Sequence, residues 1–217
     1  MKTAVSMLLA LCLLLAPALA ERYDSPFGYS MELPEGWLPL NADTYSRITS
    51  QMSEEQLSEL GLAAGLENVI VMISKMRMEY LFSGDGLANA SVTVVRQPET
   101  TEGLAHNAEV VRRAFEQSGA TDAISGAAKF GEKEFQAAAC TLNGVVVASY
   151  FYGTGDAIYA IAFKNASAED ISRMLSSAVF SFGAGAGASP EETAPADGAG
   201  PAGAVFALDG ALKEPRG

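Results

Sequence analysis

The sequence predicts an α+β domain in which helices pack on an antiparallel sheet. The clearest evidence is a pair of apolar segments, 135–142 and 145–152, that flank Asn143-Gly144, the dipeptide that most favours a two-residue hairpin turn. Segment 153–156 is a second turn, which leads into a third strand at 157–163. Consecutive strands joined by tight turns run antiparallel, and the sequence shows no regular strand–helix alternation that would indicate a parallel sheet.

The predicted domain begins with a strand at 27–33, in which apolar residues alternate with small or polar ones. Residues 34–36 (Pro-Glu-Gly) follow as a turn, because proline presets φ and glycine tolerates a positive φ. We expect Trp37 to lie in the core, where large aromatic residues usually pack. A further strand is predicted at 90–95.

Three amphipathic segments predict helices. The first begins with capping-box spacing at Ser53 and Gln56 and ends at Gly61. The other two show apolar residues at three- and four-residue steps, one ending near Gly119 and one following an N-cap at Ser167. The apolar positions are Leu104, Ala108, Val111 and Phe115 in the former, and Ile171, Leu175 and Val179 in the latter.

Segment 68–82 is rich in Val, Ile and Met, and this composition predicts one strand, or two strands separated near Lys75. Its methionines, Met72, Met76 and Met78, are predicted to be flexible core residues and not ligands of a soft metal.

The two ends of the chain predict three regions. Lys2, an apolar run at 7–16, and small residues at Ala18 and Ala20 form the pattern of a cleaved signal peptide, which predicts cleavage after residue 20. The apolar run is too short to cross a bilayer, which takes ~20 residues. We therefore expect a signal peptide at 1–20, an α+β domain at 21–182, an Ala/Gly/Pro-rich disordered tail at 183–217, and secretion from the cytoplasm.

The formal net charge is −12, and it becomes −13 when the predicted signal peptide takes Lys2 and no acid with it. A surface this acidic argues against nucleic acid as a partner, because binding there depends on Lys and Arg. It also disfavours anionic lipid head groups, and no second long apolar stretch predicts a membrane span.

No catalytic, metal or cofactor motif is evident. The sequence has one histidine, His106, which falls outside the apolar stripe of its helix and is expected at the surface. Cys140 lies mid-strand among alanines and is expected to be a small buried residue, while Cys12 falls within the predicted signal peptide. We expect neither an enzyme nor a bound cofactor.

Residues 29–37 (Tyr-Ser-Met-Glu-Leu-Pro-Glu-Gly-Trp) resemble the strand, Pro-x-Gly-Trp turn and strand that open PsbP-like domains. The closing strand at 157–163 and the helix that follows it at 171–180 are also similar to that family, so the resemblance covers 25–182. The family includes a photosystem II subunit, a Ran-binding import factor and bacterial secreted domains of unknown role. The resemblance implies a non-enzymatic scaffold that binds other proteins.

We therefore expect a secreted protein-interaction module whose partner is an extracytoplasmic protein. The predicted interaction patch is Tyr150, Tyr152 and Tyr159, beside the turn at 153–156. Strand alternation places Tyr150 and Tyr152 on one face and Phe151 on the other.

The alternative hypothesis is a carrier of a small apolar ligand, held in a pocket between the sheet and the helices. Methionines would adapt to the shape of such a ligand. The residues predicted to line the pocket are the tyrosines together with Met31, Met72, Met76 and Met78.

Overall fold

The structure is a computed structural model that describes residues 21–98 and 100–181. The predicted signal peptide at 1–20, the predicted tail at 183–217 and Phe182 lie outside the described residues. Two antiparallel sheets and several helices make up the described chain, which confirms the predicted α+β class.

The strands form a large and a small sheet. In chain order the strands are β1 Glu21–Ser25, β2 Tyr29–Leu33, β3 Leu38–Pro39, β4 Met78–Phe82, β5 Asn89–Val95, β6 Thr121–Phe130, β7 Lys133–Leu142, β8 Val145–Gly153, β9 Ile158–Lys164 and β10 Val179–Phe180. In spatial order the large sheet has seven strands, β3-β4-β5-β9-β8-β7-β6, and the small sheet has three, β1-β2-β10.

Helices cover one face of the large sheet unevenly. The helices are α1 Tyr45–Thr49, α2 Glu54–Glu59, α3 Leu66–Met76, α4 Thr101–Gln117 and α5 Ala168–Ser177, with a 3₁₀ turn at Leu62–Ala64. Helices α1 to α3 pack over the β3–β4 end of the sheet, and α4 packs across β6, β7 and β8. We call this side the helical face.

The small sheet and α5 cover the opposite side of the large sheet, which we call the small-sheet face. The largest core cluster lies there, and it contains the buried Trp37, as predicted. Within residues 21–98 and 100–181, no helix combines the length and the apolar character that crossing a membrane requires.

Local signals in the sequence determine several of these elements. Asn143 and Gly144 both have positive φ, 52° and 80°, which confirms the predicted hairpin between β7 and β8. Ser53 accepts from the backbone N–H of Gln56, whose side chain accepts in return from the Ser53 backbone, which confirms the capping box of α2. Gly61 follows that helix with a φ of 69°.

The predicted strand over 68–82 is wrong in its first part, where the chain forms helix α3. Val69 and Ile73 are four residues apart and are both buried against the neighbouring helices and β4, so packing of a helical face outweighs the local strand propensity. The helix ends at Met76, and the next residue, Arg77, has a φ of 47° that turns the chain into β4.

Two further differences concern residues with weak local signals. Strand β6 was not predicted, because its Ser-Gly-Ala-Ala centre has no apolar alternation; it is a strand through its pairing with β7. Val179 was predicted to extend the inner face of α5, but that helix ends at Ser177 and Val179 pairs with Ser30 of β2.

Candidate functional site

The three tyrosines of the predicted patch lie on one face of the large sheet. Tyr152 is the cross-strand partner of Tyr159, and Tyr150 points to the same small-sheet face two residues earlier. Phe151 points the other way and is buried beneath α4, as the alternation predicts.

Tyr159 is 0% exposed, so it has no surface to offer a partner. Its Oη donates to the carbonyl of Gly28 at 2.8 Å, and its ring packs against Tyr29 and Phe180. This residue must be removed from the predicted patch, because the small sheet closes over it.

Tyr150 and Tyr152 are half-buried. Tyr152 stacks on Phe180, with 4.7 Å between ring centroids, and Tyr150 meets Phe130 edge-on at 5.3 Å. Burial raises the pKa of the Tyr150 hydroxyl. Of the two rings, Tyr150 borders the more open part of the sheet, because its cross-strand partner is Ala137.

Beside Tyr150, strands β6 to β8 carry exposed apolar side chains on the small-sheet face. Ile124 is 65% exposed and pairs with Ala139, and Val146 is 51% exposed and pairs with Thr141 on the same face. Helix α5 covers the opposite end of the β6–β7 hairpin, at its turn, where Gly131 lies beside Ser176. We call Ile124, Ala137, Ala139 and Val146 the open apolar face.

A buried carboxylate joins the two sheets. Glu79 of β4 accepts from Tyr23 Oη at 2.7 Å, from Ser25 Oγ at 2.5 Å and from Tyr29 Oη. Burial, followed by the nearby Glu79 charge, raises the pKa of Tyr23 and of Tyr29 above the usual tyrosine value. Every donor comes from the small sheet, so the cluster fastens that sheet to the large one.

Polar side chains are also buried on the helical face. Asn89, Ser91 and Thr93 alternate along β5, and Ser149 of β8 shares the cross-strand row of Ser91 through Ala162. We call these four residues the polar floor. They lie in the middle of the sheet, between the part covered by α1 to α3 and the part covered by α4.

Among the described residues, two buried amide atoms, one on β5 and one on α4, have no hydrogen-bond partner. They are Asn89 Oδ1 and the Nδ2 of Asn107, which α4 supplies. Asn89 is 5% exposed and Asn107 is 8% exposed. The sequence signal was present but ambiguous, since Asn89, Ser91 and Thr93 alternate with apolar residues as they would on a solvent-facing strand.

The methionines predicted to line one apolar pocket are divided by the sheet. Met31 belongs to the core of the small-sheet face, whereas Met72 and Met78 pack with α1 to α3 on the helical face. Met76 is 39% exposed, so the prediction that it is a core residue is wrong. These residues therefore line no common pocket.

The remaining chemistry-bearing residues lie apart from one another. His106 is exposed on α4, as expected. Cys140 is buried beneath α4, as expected, and burial raises the pKa of its thiol. Among the described residues, no group of three or more His, Cys, Asp or Glu side chains could hold a metal ion.

Neither a protein-family model nor a curated protein matches the sequence. A solved structure from Bacteroides thetaiotaomicron VPI-5482 superposes on 75% of this chain with a TM-score of 0.42 and 12% sequence identity. The match covers 48% of that protein, so this chain spans about half its length.

Proposed function

We propose that this protein is a non-enzymatic interaction module that acts outside the cytoplasm and binds another protein through its open apolar face. The observation that carries the proposal is the exposure of Ile124 and Val146 on one side of strands β6 to β8. The predicted signal peptide and the resemblance of 25–182 to PsbP-like domains point in the same direction.

The open apolar face has the composition of an interface core. Burying an isoleucine or valine side chain contributes ~1.5–3 kcal/mol, so these two residues alone could supply a useful part of a binding free energy. On β7, Ala139 lies between them, and both Ala139 and the neighbouring Ala137 are small enough to let a partner's larger side chains approach the sheet. Tyr150 borders this surface and adds an aromatic edge.

The adjoining strand edge offers a second kind of contact. Strand β6 is ten residues long, and among the described strands none pairs with its outer side. Its free backbone N–H and C=O groups are a template for an added strand. An extended segment of the partner protein could thus bind at β6 while its side chains contact Ile124.

The experiment is site-specific photo-crosslinking in the producing cell with the full chain. A photoreactive amino acid replaces Ile124 or Val146, and a control carries it at Leu87, which is 60% exposed but lies in the turn before β5. We expect one protein adduct of defined mass from positions 124 and 146 and none from 87. Equal adducts at all three positions, or none anywhere, would refute the proposed face.

Substitutions then test the surface against the crosslinked partner. Ile124→Asp should weaken binding by at least tenfold, because it places a charge in the interface, whereas Leu87→Asp should have no effect. If Tyr150→Ala and Tyr152→Ala both leave the affinity unchanged, the two tyrosines take no part. A mature protein that still carries residues 1–20 would contradict export.

A further inference from the structure

We infer that a segment of this chain itself, residues 204–208, binds along the outer edge of β6 as an added strand and covers Ile124 of the open apolar face. The segment reads Ala-Val-Phe-Ala-Leu and lies outside the described residues. It would occupy the position that the partner protein takes, so its regulatory role rests on the proposed function. The docking itself does not, and the two can be tested separately.

The outer edge of β6 is accessible over the length of such a segment. The bulge between Thr121 and Ile124 ends the regular pairing with β7, which leaves 124–130 as regular strand. Residues 124–127 are exposed, and a side chain added at Gly126 would meet no atom within 4 Å. Since no other described strand pairs with this edge, its outward backbone groups can accept an added strand.

The described chain leaves the domain close to this edge. Ser176, near the end of α5, lies beside the β6–β7 turn, and its carbonyl accepts from Lys133 Nζ of β7 at 2.9 Å. Four residues later, Phe180 stacks on Tyr152 of β8, on the small-sheet face. The chain therefore leaves on the same face, and over the same strands, that carry the open apolar face.

The chain between the domain and the segment is long enough to reach the edge. Tyr152, beneath Phe180, is two residues from Tyr150, whose cross-strand row includes Gly126. From the spacings within and between strands, a strand added outside β6 lies about 16 Å from Tyr152. Residues 182–203 supply a link of 22 residues. A glycine-rich link of that length spans ~25 Å on average, so it holds the segment near the edge at a high effective concentration.

The residues of the segment fit the edge in an antiparallel register. Directly opposed residues share a face, so placing Phe206 opposite Gly126 also places Leu208 opposite Ile124, both on the small-sheet face. Phe206 then fills the open space at Gly126, and Leu208 covers a side chain that is 65% exposed. An aromatic ring beside an edge glycine and an apolar cross-strand pair both stabilise a sheet. Asp209 follows at the level of the bulge, where regular pairing ends.

A second copy of the chain suits this edge less well than the linked segment does. Each copy has a formal net charge of −12, so two copies repel each other, whereas residues 204–208 carry no charge. Association of two molecules also costs translational and rotational freedom, which a segment of the same chain has already lost.

Amide hydrogen exchange of the purified full chain tests the docking. We expect the amides of 205–208 to exchange at least tenfold more slowly in the wild type than in Phe206→Asp, because the variant places a charge against the sheet. Leu212→Asp is the matched control, since it places the same charge just beyond the segment, and it should exchange like the wild type. Diluting the protein should leave the exchange rates unchanged, because both surfaces belong to one molecule.

Variants of the domain test the same contact from its other side. Ile124→Asp should remove the slow exchange of 205–208, whereas Leu87→Asp should preserve it. Wild-type exchange of 205–208 at the rate of an unstructured peptide would overturn the inference, and so would equal rates in Phe206→Asp and Leu212→Asp. Slow exchange that disappears on dilution would assign the contact to a second copy and overturn it equally.

The regulatory role needs the crosslinked partner as well. Phe206→Asp should raise the affinity for that partner by about tenfold, because the docked segment no longer competes for β6. An unchanged affinity would overturn the regulatory role. If 205–208 exchange slowly but no partner is ever captured, the proposed function fails while the docking stands.

Discussion

Replacing Glu79 with alanine tests the connection between the two sheets. The carboxylate of Glu79 is the common acceptor for the hydroxyl groups of Tyr23, Ser25 and Tyr29, all from the small sheet. Alanine removes this acceptor and leaves three donors that must find water or remain unpaired. We expect the small sheet to loosen and the free energy of unfolding to fall.

The size of this fall in the free energy of unfolding follows from how deeply each hydroxyl donor is buried. Tyr29 is 2% exposed, so its hydroxyl would stay unpaired at a cost of ~1–3 kcal/mol. Tyr23 and Ser25 are partly exposed and can turn to water, so each loses only the net value of a hydrogen bond to a charged group, ~1.5 kcal/mol. Together we expect Glu79→Ala to cost ~4–6 kcal/mol, a large share of the 5–15 kcal/mol typical of a domain.

Urea unfolding monitored by the fluorescence of Trp37 measures this loss of unfolding free energy. Trp37 is the single tryptophan, and it is buried in the same core cluster as Tyr29. Glu79→Gln is the matched control. It keeps the volume and one acceptor oxygen, so it should cost about half as much. In the Glu79→Ala background, Tyr29→Phe should restore part of the lost stability, because it removes the hydroxyl that was left without a partner. A Glu79→Ala protein within ~0.5 kcal/mol of the wild type would refute the reasoning.

Three further predictions concern individual groups. Tyr23 and Tyr29 have raised pKa values in the folded protein, so their contribution to stability is complete below the unfolded tyrosine pKa of ~10. This contribution is lost as the pH rises above ~10 towards the folded pKa values. Urea unfolding at alkaline pH should show the loss of stability, and the loss should be smaller in Tyr29→Phe. Cys140 is buried and its thiol pKa is raised, so a thiol reagent should label it slowly in the native protein and rapidly in urea. Rapid labelling of the native protein would contradict the burial of Cys140 beneath α4. Asn143→Ala and Gly144→Ala should each cost ~1–2 kcal/mol in thermal unfolding, because both positions have positive φ; no change in Tm would argue against the turn.

The sequence was most informative where structure depends on near neighbours. The Asn143-Gly144 hairpin, the capping box at Ser53 and helix α4 all follow from residues within a few positions of one another. Helix α3 could not be recognised in this way, because its Val and Ile residues favour a strand locally and become helical only through packing on β4. Strand β6 likewise depends on β7.

The candidate sites depend on contacts between distant segments. Alternation gave the correct face for Tyr150 and Tyr152, but the depth of Tyr159 is determined by Tyr29 and Phe180, which lie far away in the sequence. The polar floor was missed for a related reason. Its alternating polar residues are typical of a solvent-facing strand, and only the placement of helices around it makes them buried.

The small sheet takes its three strands from opposite ends of the described chain, with β2 held between β1 at the start and β10 at the finish. A polypeptide that emerges from its amino terminus first cannot complete this unit until residues 179–180 are available. Until then Tyr159 and its neighbours lack the Phe180 ring that seals them. The seven-stranded sheet needs no strand beyond β9, so the three-stranded sheet is the last part of the described fold that synthesis allows to close.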